Sequence, residues 1–284
     1  MAITNFKPKV WSAKLMDKLE KSLVYAAPGV ANRDYEGEIS QFGDSVTITG
    51  LVEPTIGAYS AYNDITIEQV SDDARVLLIN QADYFGFTVD DIDKRQARGD
   101  VMTKQAERAA YKLRDKADLY MAALLAANVP VGSLIAEQTI SISSSTKAYD
   151  VLVDLSVALD TQNVPSEGRY VIVPPKFRGL LQKDARFVAD GSAAGATARI
   201  NGVIGEAAGF SVRLSNNVPD GPGAGAGKLV IAGTDLAATF AEQINDVEAF
   251  RPEKRFSDAL KGLHLYGAKV VAPESLAAAD LILA

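Results

Sequence analysis

Between Asp90 and Asn128 the chain reads DDIDKRQARGDVMTKQAERAAYKLRDKADLYMAALLAAN, and no other stretch sustains one pattern for as long. Apolar residues at Met102, Ala106, Ala109, Leu113, Ala117, Tyr120 and Leu124 step by four and three, the spacing that stacks side chains on one face of a helix. Arg98, Lys104, Glu107, Arg108, Lys112, Arg114, Asp115 and Lys116 fill most of the remaining surface. Asp90, Asp91 and Asp93 stand where carboxylates favour the positive end of a helix, Gly99 is a candidate break, and Pro130 forbids continuation. From Asp100 to Asn128, at about 1.5 Å per residue, the rod is about 40 Å long. That exceeds the usual globular helix of about three turns. The rest of the chain has to be arranged along it.

Composition narrows the classes. At 284 residues the chain makes one large domain or two moderate ones and buries a real core. No apolar run is long enough to span a bilayer as a helix, and MAITNFKPKV lacks the apolar centre of a signal peptide. With no cysteine there is no disulfide, thiolate nucleophile or cysteine metal site. A formal charge of −7 argues against a dedicated nucleic-acid binder. Residues 1–35 nevertheless hold six basic groups (Lys7, Lys9, Lys14, Lys18, Lys21, Arg33) against Asp17, Glu20 and Asp34, so this arm is +3 and the remainder −10. A basic arm on an acidic body suits an acidic neighbour or nucleic acid, and equally a solvated helix face.

Taken in order, Trp11, Leu15, Leu19 and Leu23 mark a short amphipathic helix with Ser12 as its cap, and 26–32 reads as a connector broken by Pro28 and Gly29. Ser45 to Leu51 and Asp64 to Val70 alternate with period two around the turn-rich EPTIGAY, which predicts a long hairpin projecting from the core. A two-stranded hairpin is marginal alone, so it calls for a neighbouring molecule. RVLLIN (75–80) and YFGFTV (84–89) are expected to anchor its base. Beyond the spine, a strand at 139–143 and the linker 143–146 precede a helix over 149–163, a strand at 169–173 and a helix at 177–181. Next come a Gly-rich surface loop at 190–197 and strands at 210–215 and 228–232 separated by PDGPGAGAG. Strand-like segments follow at 240–247, 248–256 and 262–271; the tail PESLAAADLILA fits no pattern.

A search for chemistry is negative. His264 is the only histidine, sits in a strand, and has neither a cysteine nor a second histidine to work with. An oxygen-ligated Ca²⁺ or Mg²⁺ on Asp90, Asp91 and Asp93 is less favoured than a helix start. GVIGEAAG (202–209) and GPGAGAG (221–227) lack the spacing and Lys-Ser/Thr ending of a phosphate loop. There is no GxSxG, and scattered carboxylates identify no acid–base pair. No cofactor and no catalytic residue is expected.

The order of parts is more informative: basic arm, projecting hairpin, spine, compact α/β region, and a return to long strands. That order, with VWSAKLMDKLEKSLVYA, NRDYEGEI at 32–39, GDSVTI at 43–48, PTIGAY at 54–59 and DYFGFTVDDIDKRQARGDVM at 83–102, resembles the tailed-bacteriophage major capsid (coat) protein family. GFSVRLSNNVP at 209–219 and FSDALKGLHLYGAKVVAPE at 256–274 are similar to the same family's second half. The resemblance implies an α+β fold with an N-terminal arm (1–41), an extended β-hairpin loop and its base (42–89), a peripheral domain with the spine helix (90–145), an α/β axial domain (146–238), and return strands of the peripheral domain with a tail (239–284).

It also implies subunits that assemble through pentamers and hexamers into an icosahedral shell around double-stranded DNA, bound non-specifically. A separate scaffolding protein, a portal and other virion proteins are the implied partners, with assembly in the host cytoplasm and no membrane. Candidate inter-subunit contacts are Glu53, Pro54, Ile56, Tyr59, Arg251, Lys254 and Arg255; candidate scaffold or DNA contacts are Lys7, Lys9, Lys14, Lys18 and Lys21. Identical subunits supply the missing partner of a hairpin through contacts that close into rings. The alternatives are an encapsulin-like nanocompartment shell, a carboxylate- or metal-dependent α/β enzyme, and an adhesin or surface-layer subunit.

Overall fold

The computed structural model describes residues 24–35, 45–51, 55–58, 64, 67, 72–90, 101–142, 147–184, 205–225, 227–253 and 256–284. The spine is a helix, α1, over Val101–Ala127. Met102, Ala106, Ala110, Leu113, Ala117, Met121 and Leu125 are buried in one stripe down the rod, with Asp118 and Ala122 buried beside it. Ala110, Met121 and Leu125 thus replace the expected Ala109, Tyr120 and Leu124, because a helix of 3.6 residues per turn drifts off a strict four-three pattern. At its end Asn128 Nδ2 donates to the Leu124 carbonyl at 2.8 Å.

The stripe serves two sheets. Its first half packs on a three-stranded antiparallel sheet, ordered β3 (Gln81–Asp90), β10 (Ser257–Val270), β9 (Ala238–Phe250). There Met102, Ala106, Ala110 and Leu113 meet Val89, Val247 and Leu260, with Phe85 and Phe87 beside them. Asp90 is therefore the last residue of a strand, paired with Ser257, and not a helix start; Asp91, Asp93 and Gly99 lie outside the described residues. Pairing with β10 outweighs the local charge preference that pointed to a helix. The expected break at 247/248 is also absent, since β9 runs on to Phe250 and the chain turns after it.

The second half of α1 covers one face of a six-stranded mixed sheet. Its order is β4 (Leu134–Ile140), β11 (Leu276–Leu283), β8 (Lys228–Gly233), β5 (Tyr170–Val173), β7 (Phe210–Leu214), β6 (Glu206–Ala207). On that face Tyr170, Ile172, Leu229, Ile231, Leu276 and Ala278 meet Ala117, Met121 and Leu125. The alternate residues, Val171, Val173, Val230, Ala232, Ala277 and Ala279, pack under α2 (Ala148–Thr161) and α3 (Pro175–Lys183). A strand buried on both faces carries apolar residues at every position rather than every second one. That is why LAAADLIL shows no period and fits no pattern in the sequence, although it is an interior strand paired with β4 on one side and β8 on the other. By sheet membership, β4 and β11 sit with 146–238 rather than with the spine and the return strands.

The connector at 26–32 is also core: Tyr25, Ala26, Val30 and Ala31 are buried against α1 and the sheet. Asp118, only 4% exposed, accepts the Val24 and Tyr25 amides at 3.0 and 2.8 Å through Oδ1 and Asn217 Nδ2 at 2.9 Å through Oδ2. One carboxylate on the spine thus holds the entry of the chain and the loop after β7. The Tyr25 phenol is pushed far above its ordinary pKa by burial, with Asp118 adding to it, so it stays neutral.

The hairpin is formed by β1 (Ser45–Leu51) and β2 (Asp72–Leu78), antiparallel from Ser45–Leu78 to Leu51–Asp72. Its return leg is therefore the RVLL segment expected at the base, not 64–70. The reason is burial: Leu77 and Ile79 close on Val46, Ala241 and Leu265 in a small core of their own. The expected helix at 12–23, linker at 143–146 and loop at 190–197 lie outside the described residues.

Candidate intersubunit surface

Three surfaces stand exposed among the described residues. The first is the hairpin beyond its base. Ile56 is 96% exposed and Ile67 84% exposed, with Thr55, Gly57 and Ala58 exposed beside Ile56. Water contact over that much isoleucine surface is unfavourable, by about 25 cal/mol per Å².

The base itself is held by close approach. A Cβ on Gly267 of β10 would stand 2.3 Å from the Leu78 carbonyl oxygen and 3.0 Å from the Ile79 Cα. Only a residue without a side chain lets the hairpin's root lie on β10.

The second surface is the free face of the three-stranded sheet. Side chains alternate on strands, so while Phe85, Phe87 and Leu260 face α1, Tyr84, Leu263, Lys261, Glu248 and Phe250 face away. Tyr84 is 84% exposed and pairs directly with Leu263. Lys261 Nζ bonds Glu248 Oε2 at 2.8 Å and lies 5.3 Å from the Phe250 ring centre. Sequence reading missed this face; its signal was the alternation within ADYFGFTV, where Tyr84 falls opposite to Phe85 and Phe87.

The third is the β9–β10 turn. Arg251 Nη1 stands 3.8 Å from Asp258 Oδ1, and Phe256 is 82% exposed. Of the residues predicted at contacts, Ile56 and Arg251 are on the surface. Glu53, Pro54, Tyr59, Lys254, Arg255, Lys7, Lys9, Lys14, Lys18 and Lys21 lie outside the described residues. The hairpin is rooted at Gly267 and the turn leads into Ser257, so the two occupy opposite ends of β10. At about 3.3 Å per strand residue their roots are about 30 Å apart.

His264 is fully buried, with Nε2 3.2 Å from Glu242 Oε2, and Arg33 bonds the other carboxylate oxygen. Burial alone would raise the Glu242 pKa, but the His264 hydrogen bond and the Arg33 charge together pull it below its ordinary value. The histidine joins β10 to β9, and Arg33 joins the entry segment to β9; no solvent reaches the imidazole to be activated.

The glycine-rich loops are equally structural. Gly223 N donates to Asp280 Oδ2 at 2.8 Å and Gly225 N to Glu137 Oε2 at 3.1 Å. A phosphate cradle offers free amides, whereas these already hold carboxylates, and two negative charges beneath the loop repel an anion. At 202–209, Ala208 (φ 50°) and Gly209 (φ 82°) form the two-residue turn of the β6–β7 hairpin. Among the described residues no three His, Cys, Asp or Glu side chains group to hold a metal ion. No described helix is long and apolar enough to cross a membrane.

Among the described residues, a long helix bridges two sheets, and a hairpin packed at its root and one sheet face stand exposed. A family profile described as phage capsid protein matches residues 76–279. A solved structure from Mycobacterium phage Che8 is 30% identical, with 98% of each chain covered and a TM-score of 0.71. The capsid of the cyanophage P-SCSP1u is 16% identical over 89% of this chain and 86% of that one, with a TM-score of 0.70. The mature capsid of bacteriophage PhiM1 is 15% identical over 92% and 87%, with a TM-score of 0.64. No curated protein matches the chain. The chain belongs to the phage capsid protein family, and its role is that of a major capsid protein, the structural component of a tailed-phage virion shell.

Proposed function

We propose that copies of this chain join through pentamers and hexamers into a closed icosahedral shell around double-stranded DNA, and that the β1–β2 hairpin of each copy lies over its neighbour. The observation that carries this reading is Ile56, almost wholly exposed on a hairpin whose described packing lies at its root. The 30 Å between the roots of the hairpin and the β9–β10 turn adds support, because contact surfaces rooted far apart suit heterologous packing into rings. In this reading the three-stranded sheet and the first half of α1 form the peripheral domain, and the six-stranded sheet with α2 and α3 forms the axial domain. Many weak contacts suffice, because the shell multiplies them. A separate scaffolding protein acts at Lys7, Lys9, Lys14, Lys18 and Lys21, while portal and other virion proteins join in the host cytoplasm.

Negative-stain electron microscopy of the purified chain, with and without a scaffolding partner, tests this. Closed shells, or rings of five and six, are expected. A monomer or dimer under every condition would refute it. Ile56→Asp should abolish shells while leaving stability within about 0.5 kcal/mol, as surface changes do. Deleting residues 1–23, which spares the Val24 and Tyr25 bonds to Asp118, should remove scaffold dependence.

A further inference from the structure

The spine helix carries five cations, Lys104, Arg108, Lys112, Arg114 and Lys116, and two of them are occupied. Lys116 pairs with Asp83, and Arg114 lies 4.7 Å from the Tyr111 ring centre. The helix's acids are occupied as well: Asp118 is buried on backbone amides, and Asp115 Oδ1 accepts from Asn217 at 2.9 Å. Glu107, engaged in its own interaction, lies on the wall of a surface groove of about 520 Å³ that Lys104, Arg108, Tyr111 and Lys112 also line. Lys104, Arg108 and Lys112 are exposed and form no ion pair with a described residue. Stepping by four, they make one row on the side opposite to the buried Met102, Ala106, Ala110 and Leu113. On a chain of net charge −7, this is a local reversal of sign.

We infer that this row is a sequence-independent seat for the phosphate backbone of duplex DNA, which turns the outer face of α1 toward the interior of the shell. Three cations about 6 Å apart span about 12 Å along the helix. One strand of B-form DNA offers a phosphate about every 3.4 Å of its axis, so three or four phosphates fall within that span. The groove leaves room for the backbone, and the Tyr111 hydroxyl can donate to a phosphate oxygen. The inference rests on the shell reading above and adds to it the surface that faces the packaged DNA.

Its test uses the purified, unassembled full chain and a fluorescein-labelled duplex of random sequence, followed by anisotropy from 25 to 200 mM NaCl. K104Q/R108Q/K112Q removes the row; K176Q/K183Q/K269Q removes three exposed lysines elsewhere. Loss of three phosphate contacts should make the slope of log K against log salt shallower by about 2.7, at about 0.9 per contact, in the first variant only. Equal slopes in wild type and the row variant would overturn the inference. So would an equal loss in both variants, or lost binding to polyglutamate with duplex binding intact, which would mark an acidic protein as the occupant. Electron microscopy of the same samples separates the two readings: shells absent from wild type sink the shell, while the salt slopes still judge the helix.

Discussion

Replacing Gly267 by alanine places a methyl group 2.3 Å from the Leu78 carbonyl oxygen, about 1 Å inside ordinary contact. The obstacle is backbone, so no rotamer change relieves it; either β10 or the hairpin root has to move. Full detachment would expose Leu77, Ile79 and Leu265, at about 1.5–3 kcal/mol each, so a strained but attached root is the cheaper response. Overpacking of this kind costs about 2 kcal/mol. With an unfolding entropy of about 2.1 cal/mol/K per residue over 284 residues, the thermal midpoint should fall by about 3–4 °C. The control is Gly86→Ala in the same sheet, where nothing lies within 4 Å of the added methyl and the midpoint should hold or rise. Hydrogen exchange should quicken at 77–80, and shells should become fewer or misshapen. Equal midpoints for the two variants, with unchanged exchange at the root, would refute the claim that Gly267 seats the hairpin.

Asp118→Ala removes three hydrogen bonds to a carboxylate and should cost about 3 kcal/mol or more in urea unfolding; a loss below about 1 kcal/mol would contradict the anchoring role. Glu242→Gln tests the Arg33–Glu242–His264 cluster through pH. The folded pKa lies below 4.5, so the contribution of Glu242 is present above that value and is lost as pH falls through the folded pKa. The wild type should therefore be more stable than the variant at pH 7, and the gap should close below about pH 4.5 in urea titrations. Ala208→Asn should raise stability by about 0.5–1 kcal/mol, since Asn-Gly suits a turn with two positive φ angles; a drop would mean that the turn is held by its surroundings.

The sequence was most legible where one face of an element is buried. The stripe from Met102 to Leu125, the alternation of Val46 and Ile48, and the α2 residues Val151, Leu152, Leu155 and Leu159 carry their periods openly. It was least legible where burial is two-sided, as in LAAADLIL, or where strand pairing decides, as at Asp90. Ala26, Val30 and Ala31 read as a connector because their partners, α1 and the sheet, are distant in sequence. The contact surface was legible in part: Ile56 followed from the hairpin, but the Tyr84–Leu263 face depends on knowing which side α1 covers. Glycines gave the least warning, since Gly267 and Gly86 are alike in sequence and differ only in what stands beside them.

The place of β11 between β4 and β8 bears on the order of events during synthesis. Until residues 276–283 leave the ribosome, β4 lacks its neighbour in the six-stranded sheet and β8 presents an unpaired edge. Pairings so distant in sequence form late and leave such edges open to the wrong neighbour. For a protein whose copies crowd together, late insertion of β11 delays the finished surface until residues 276–283 are out. Premature association would then be opposed by folding order itself, before any partner is involved.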